Sequence, residues 1–233
     1  MRKEKILIAA IRSWNVKNAV IFKLKYGREY EIKVISRVDQ LNEDFLRAFN
    51  PRYIFFPHWS WLIPNAIHSR YECVVFHMTD LPFGRGGSPV QNLILRGKKN
   101  TVISALRVTD GLDAGPIYFK VALDLRGSAE NILKKASGLI YRKMIPHFLK
   151  YRPLPVAQRG RAVSFSRRKP SQSMIPGNAD VNEFYDFIRM LDAEGYPPAF
   201  LETAKVRLEF SKAKIKDGRL TAVVNIRKKG ESA

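Results

Sequence analysis

Short apolar runs alternate with polar segments along the first half of the chain. Each run is long enough for one buried strand and too short for a typical helix, so the pattern predicts β-strands. The five predicted strands are KILIAAI (5–11), YEIKVIS (30–36), RYIFFPHW (52–59), YECVVFH (71–77) and TVISALRV (101–108).

Helical patterns lie between and after these strands. NEDFLRAF (42–49) predicts a short helix with Asn42 as its N-cap, and residues 128–150 place apolar side chains at helical spacing over a longer stretch. Strands that alternate with helices are typical of a Rossmann-like, doubly wound α/β fold with a mostly parallel sheet. Ligands of such folds bind beyond the carboxyl ends of the strands.

The C-terminal part predicts a small α+β appendage. VNEFYDFIRML (181–191) has its large apolar side chains on one helical face, and residues 205–228 predict two strands around a turn at Asp217-Gly218. A proline- and arginine-rich segment, YRPLPVAQRGRA, precedes this part and is typical of a linker. The predicted division is a main domain (1–150), a linker (151–162) and a small C-terminal subdomain for substrate binding or dimerisation (163–233).

Composition limits the class of protein. The chain has 233 residues, and a hydrophobic fraction of 45% is that of a globular protein. The sequence shows neither an apolar run of the roughly 20 residues that a membrane span needs nor a signal peptide. Cys73 is the only cysteine, which excludes an internal disulfide and a cysteine-built zinc site, and its apolar surroundings predict a buried thiol. These features favour the cytoplasm.

The net charge of +20 indicates an anionic partner without identifying it. Nucleic acid, an acidic membrane surface and anionic small molecules all fit such a charge. The basic residues are spread along the chain, although residues 205–233 hold nine of them against three acidic residues.

Two histidines mark the ends of predicted strands. His58 ends one strand and His77 ends the next, so both are expected at the ligand-binding edge of the sheet. His77 is followed by MTDLPFGRGGSPVQNL, which is rich in glycine and proline. A hydrogen-bonded core histidine is the alternative interpretation of His77.

The stretch HMTDLPFGRGGSPVQNLI, followed by TVISALRVTDGLDAGPIY, resembles the folate-dependent formyltransferase family. The similarity covers roughly residues 50–150, and Asp113 follows His77 by 36 residues, as in that family. The residues in register with the family motif are His77, Leu81-Pro82, Arg85-Gly86, Pro89, Thr101, Leu112-Asp113 and Gly115.

The resemblance implies the formyltransferase fold and N-formyl transfer from 10-formyltetrahydrofolate, with no metal. An amine must lose a proton as it attacks the formyl carbon, and the departing nitrogen must gain one. Histidine exchanges protons at neutral pH, so the resemblance implies His77 for this role. It implies Asp113 as the carboxylate that orients the ring, favours its cation or orders a proton-carrying water.

The resemblance also implies a folate site. Family members hold the pterin largely with backbone groups, and glycines let the backbone pass close to a flat ligand. Arg85 is expected either to fix its loop or to contact substrate. The implied cofactor-binding residues are Trp61, Leu62, Ile63, Leu81, Pro82, Arg85, Gly86, Gly87, Asp110, Gly111 and Leu112.

One position departs from the family motif. Val75 stands where the family has an asparagine, whose amide is expected to stabilise the oxyanion. Losing one such donor typically reduces turnover by about 10²–10³. The candidate replacements are Thr79, His58 and Asn92, and an inactive homologue is the alternative.

The acceptor expected from the sequence is a nucleotide-linked amino sugar. FSRRKP (165–170) and residues 188–200 are similar to the small second domain of sugar N-formyltransferases, which are often dimers. Methionyl-tRNA enzymes usually have a long basic insertion and a larger C-terminal domain, so the sequence disfavours nucleic acid as substrate. The alternatives are another amine, including methionyl-tRNA, and a non-catalytic protein that binds folate or a polyanion. The residues expected to bind the pyrophosphate of such a nucleotide sugar are Arg12, Arg167, Arg168 and Lys169. A solvated basic turn is the alternative interpretation of residues 167–169.

Overall fold

The computed structural model describes residues 3–230, which form two compact units. The first unit comprises residues up to 86, 101–123 and 134–164. The second comprises residues 87–100, 124–133 and those from 165 onward. The division into 1–150, 151–162 and 163–233 stays a prediction.

A six-stranded sheet forms the centre of the first unit. Its strands are β1 (Glu4–Ala10), β2 (Tyr30–Ile35), β3 (Tyr53–His58), β4 (Glu72–His77), β6 (Asn100–Arg107) and β7 (Ile117–Asp124). They lie in the order β2-β1-β3-β4-β6-β7, in which β1 to β4 run parallel to one another and β6 runs antiparallel to β4. This arrangement confirms the predicted α/β class with a mostly parallel sheet.

Helices connect these strands and continue after β7. The predicted long helix over 128–150 is confirmed, although its middle turn, Ile140–Met144, is a π-helix. The helices are α1 (Ser13–Tyr26), α2 (Glu43–Phe49), α3 (Asn65–His68), α5 (Ala129–Leu139) and α6 (Ile145–Tyr151).

The beginnings of α1 and α2 show why only α2 was predicted. Asn42 caps α2, because its side-chain oxygen accepts a hydrogen bond from the Phe45 N–H at 2.9 Å. Helix α1 follows Arg12 without a side-chain cap. Its apolar residues point in several directions, and Ile21 and Leu24 are 51% and 79% exposed. The amphipathic pattern that identifies most surface helices is therefore weak in α1.

Apolar side chains fill both sides of the sheet, as expected of parallel strands covered by helices. On one side Leu7, Ile54 and Phe56 belong to a buried cluster with Cys73. On the other side Phe55 packs edge-on against the α6 ring of Phe148, with 5.3 Å between ring centroids. The predicted burial of Cys73 is confirmed, and burial raises the pKa of its thiol to about 12.

The second unit contains the predicted C-terminal α+β element. Strands β9 (Ala199–Glu202), β10 (Val206–Lys216) and β11 (Arg219–Lys228) form an antiparallel sheet. The turn between β10 and β11 lies at Asp217-Gly218, where both residues have positive φ. Phe184 packs edge-on against Phe210 with 5.6 Å between ring centroids. Helices α4 (Pro89–Ile94) and α7 (Val181–Leu191) also belong to this unit.

A short two-stranded sheet pairs β5 (Phe83–Gly86) with β8 (Val163–Phe165). Within residues 3–230, none of the helices is sufficiently long and apolar to cross a membrane.

Replacing the N-cap of α7 is expected to destabilise this helix. Asp180 accepts hydrogen bonds from the backbone of Asn182 and Glu183, and the Glu183 carboxylate accepts one from the Asp180 N–H. Asp180→Ala is expected to reduce the free energy of unfolding by about 1 kcal/mol, measured by urea denaturation with circular dichroism. Asp180→Asn keeps the acceptor and is the matched control. Equal stability of the alanine and asparagine variants would contradict the assignment.

Candidate active site

His77 lies at the carboxyl end of β4 with its ring held by the backbone. Its Nε2 is 2.7 Å from the carbonyl oxygen of Gly84. Because a carbonyl can only accept, Nε2 carries the hydrogen of this bond and Nδ1 remains for other chemistry. The Thr79 hydroxyl donates to the same carbonyl at 3.2 Å. The side chain of His77 is 10% exposed.

Asp113 faces the other ring nitrogen. Its Oδ2 lies 3.5 Å from His77 Nδ1 and accepts a hydrogen bond of 2.9 Å from the Gly86 N–H. The residue has φ of 50°, a left-handed conformation that aspartate adopts more readily than most residues. The structure therefore brings together the histidine and carboxylate that the sequence singled out.

Backbone geometry explains two glycines of the family motif. Gly86 has φ of 99°, which only glycine adopts without strain, and this conformation presents its N–H to Asp113. A Cβ on Gly115 would lie 1.8 Å from the carbonyl oxygen of Arg107. Gly87 lies in the second unit, where a Cβ would meet the backbone of Arg167 at 2.6 Å.

Gln158 contacts the site although no sequence signal identified it. Its Oε1 accepts two hydrogen bonds from the Arg85 guanidinium, at 3.1 and 2.8 Å. Its Nε2 donates to the carbonyl oxygens of Asp113 and Gly115, at 2.7 and 2.8 Å. These bonds tie Arg85 to Gln158, an arrangement that fits the first of its two predicted roles, fixing its own loop.

Two predicted cofactor-binding loops meet in the first unit. The Asn65 amide, four residues after Trp61, donates to the Asp110 carboxylate at 2.7 Å. Trp61 is 44% exposed, and Leu62 and Leu112 are 81% and 59% exposed. The other predicted residues in this unit are buried Leu81, partly buried Ile63 and Pro82, and exposed Gly111.

His58 lies at the end of β3, beside the end of β4. Phe56 of β3 pairs with Val75 of β4 in the parallel register. His58 and His77 each lie two residues farther along their own strand. Burial, together with the charge of Arg12, lowers the pKa of His58 to about 4, so the ring is neutral at physiological pH. Trp14 packs edge-on against it at 5.7 Å between ring centroids. Within residues 3–230, no hydrogen bond to the His58 ring is found.

The other two candidate oxyanion donors have partners. The Thr79 hydroxyl bonds Gly84, and the Asn92 amide, in the second unit, donates to the carbonyls of Gly87, Ser88 and Ser166. Val75, at the asparagine position of the family, packs against the buried cluster of the first unit.

The predicted phosphate-binding arginines have different surroundings. In the second unit the Arg168 guanidinium donates to the Gln172 carbonyl and lies 5.8 Å from the centre of the Phe187 ring. Burial lowers the pKa of Arg168. Arg167 and Lys169 are exposed, and Arg12, in the first unit, has φ of 71°. No metal-binding cluster of His, Cys, Asp or Glu occurs among residues 3–230.

Comparison with protein families gives two matches. The profile described as "Formyl transferase" matches residues 15–134. A second profile, described as "Methionyl-tRNA formyltransferase, C-terminal domain", matches residues 170–227.

Individual proteins agree with these profiles. A solved structure, methionyl-tRNA formyltransferase from Clostridium thermocellum, is 52% identical with a TM-score of 0.95, over 97% of this chain and 99% of that one. Methionyl-tRNA formyltransferase of Bacillus thuringiensis subsp. konkukian (strain 97-27) is 28% identical over 189 residues, which are 76% of this chain. The match spans 60% of the Bacillus protein's length.

A more distant structure shares the fold. HypX from Aquifex aeolicus, in complex with tetrahydrofolic acid, is 15% identical with a TM-score of 0.72, over 94% of this chain and 40% of that one.

These comparisons correct the prediction of the acceptor. The predicted amino sugar, and with it a nucleotide sugar as partner, is wrong, because the similar proteins and the C-terminal profile carry the name of methionyl-tRNA formyltransferase. The short C-terminal part was a poor criterion for excluding methionyl-tRNA as the acceptor, because the match to the Clostridium protein covers 97% of this chain and 99% of that one. The prediction that a nucleic-acid partner is disfavoured rested on the same criterion, and it is wrong for the same reason.

The resemblance to folate-dependent formyltransferases, which take their formyl group from 10-formyltetrahydrofolate, is confirmed. With a family profile over half of its length and a relative of 52% identity over nearly all of it, the chain belongs to the formyltransferase family.

Proposed function

We propose that this protein transfers a formyl group from 10-formyltetrahydrofolate to the amine of methionyl-tRNA. The observation that carries the proposal is the 52% identity, over 97% of the chain, to the Clostridium protein of that name. The net charge of +20 supports a polyanionic substrate. The cytoplasm, expected from the sequence, is a compartment where aminoacyl-tRNA is present.

The first unit has features that fit the formyl donor. A pterin ring needs apolar surface and backbone hydrogen-bonding groups, and Trp61, Leu62 and Leu112 expose apolar side chains on loops that meet at Asp110. When bound there, 10-formyltetrahydrofolate supplies the formyl group. The described residues contain no metal-ligand cluster, and the proposed roles of His77 and Asp113 require none.

His77 and Asp113 are the proposed catalytic pair. The Nε2 hydrogen of His77 is engaged by Gly84, so Nδ1 is the atom that takes a proton from the attacking amine and returns it to the departing nitrogen. His77 Nδ1 and Asp113 Oδ2 are 3.5 Å apart, which is longer than a normal hydrogen bond. Asp113 therefore acts mainly by stabilising positive charge on the ring while the Gly84 carbonyl orients it.

His58 is the proposed replacement for the missing asparagine amide. Its neutral ring retains an N–H donor at neutral pH, whereas the Thr79 hydroxyl and the Asn92 amide donate to carbonyls. It ends the strand next to the one that ends in His77, and adjacent strands lie about 4.8 Å apart. This position suits a donor to the negative charge that develops on the formyl oxygen.

The acceptor is tested by incubating the protein with 10-formyltetrahydrofolate and methionyl-tRNA. Tetrahydrofolate release and formyl-methionine are expected in equal amounts, because one formyl group is transferred per amine. Uncharged tRNA, which lacks the methionyl amine, is the control. Transfer to a nucleotide-linked amino sugar, with methionyl-tRNA inert, would overturn the proposal.

Removing the His58 ring is expected to affect both catalysis and acid stability. His58→Phe is expected to lower kcat by about 10²-fold through loss of the donor. The pKa of His58 is depressed from 6.5 to about 4, so the native protein loses up to about 3 kcal/mol of stability as pH falls through this range. Urea denaturation at pH 7 and pH 4.5 should show a smaller loss in His58→Phe. Unchanged kcat would rule out the donor role.

The tip of the β10–β11 hairpin is expected to contact tRNA phosphates. Lys214 and Lys216 are two residues apart on β10, so their side chains lie on the same face of the strand. Arg219 pairs with Lys216 across the hairpin, so its side chain lies on that face as well. All three side chains are exposed. Replacing all three with glutamine should weaken tRNA binding. The slope of log K against log salt concentration should become shallower by roughly 2 to 3, because each lost phosphate contact removes about 1 from the slope.

The matched control replaces three exposed lysines of α1, Lys17, Lys23 and Lys25, with glutamine, which removes the same charge. Its salt slope should stay closer to that of the wild type. Equal changes in both variants would show that net charge, rather than the hairpin, determines binding.

A further inference from the structure

The segment between α6 and β8 is attached to the candidate active site at several points. Val156 and Ile117 exchange two backbone hydrogen bonds of 2.8 Å, which align the segment beside the chain that follows Asp113. Farther along, the Val163 N–H donates to the Pro82 carbonyl at 3.1 Å. The sequence had indicated only a linker here. We call residues 156–163 the strap.

The side chain of Gln158, the third residue of the strap, has its hydrogen-bonding capacity fully used. Its oxygen accepts two bonds from Arg85, and its nitrogen donates one each to the carbonyls of Asp113 and Gly115. Guanidinium groups only donate and carbonyls only accept, so the orientation of the carboxamide is determined by its partners. No other side chain of similar length offers two acceptor and two donor sites.

These bonds complete a closed ring of contacts around the candidate active site. Arg85 bonds Gln158, Gln158 bonds the main chain of Asp113, and the Asp113 carboxylate accepts from the N–H of Gly86, the residue next to Arg85. The ring joins the glycine-rich loop to the Asp113 turn through two independent connections. Such a ring restrains the distance between the two loops more strongly than either connection alone.

We propose that Gln158 is a positioning residue for formyl transfer. It holds the Asp113 main chain in its left-handed conformation, with φ of 50°, so that the carboxylate stays 3.5 Å from His77 Nδ1. The proposal rests on the proposed function of His77 and Asp113. Gln158 itself contacts neither reacting group and acts through Asp113 and Arg85.

The donors and acceptors of the Gln158 side chain suggest a specific test. Gln158→Glu keeps an acceptor for Arg85 but places a carboxylate oxygen against the carbonyls of Asp113 and Gly115, where a donor is required. Gln158→Ala removes both connections. Ala157→Gln, at the exposed neighbouring position of the strap, is the matched control.

Both Gln158 variants are expected to lower kcat by about 10- to 100-fold, with KM for 10-formyltetrahydrofolate changed less than about twofold. The glutamate variant should be at least as impaired as the alanine variant, because it adds repulsion. Ala157→Gln should match the wild type. Wild-type kcat in Gln158→Glu, or a parallel loss of donor binding and kcat in both variants, would overturn the positioning role.

Hydrogen–deuterium exchange provides a readout that requires no activity. The Gly86 amide is protected by Asp113, so it should exchange at least fivefold faster in Gln158→Glu than in the wild type. Unchanged exchange would overturn the proposed restraint. If wild-type protein failed to formylate any acceptor while Gly86 still lost protection in the variant, the proposed function would fail and the restraint would stand.

Discussion

The hydrogen bond from the Gly86 N–H to the Asp113 carboxylate is the contact on which the candidate active site depends. It joins the glycine-rich loop after β4 to the turn after β6, and the same carboxylate oxygen lies 3.5 Å from His77. The positive φ values of Gly86 and Asp113 make this bond geometrically accessible. Without it, the two loops around His77 would lose one of their two connections and would be linked only through Gln158.

Much of this arrangement could be predicted because it follows from strong local patterns. The buried parallel strands appear in the sequence as short apolar runs, and their carboxyl ends place His58 and His77 on adjacent strands. The spacing of His77, Arg85-Gly86 and Asp113 carried the family resemblance. These features depend on residue type and order, which a single sequence displays directly.

Other features depend on tertiary contacts that leave no pattern in one sequence. Helix α1 was missed because exposed apolar residues such as Leu24 obscure its amphipathic face. Gln158 was missed because its four hydrogen bonds are made to partners at least 43 positions away. The acceptor was mispredicted from the length of the C-terminal part, a property that does not report substrate chemistry. A long-range polar contact is thus harder to predict than a strand.

The most direct test of this account is the rate of the chemical step in Asp113→Asn. Single-turnover formylation of methionyl-tRNA, measured by rapid quench alongside the dissociation constant for the folate, separates chemistry from binding. Asparagine keeps an oxygen for the Gly86 N–H but removes the negative charge beside His77. The account predicts a rate lowered by about 10²-fold or more with folate binding retained. A variant as fast as the wild type would contradict it.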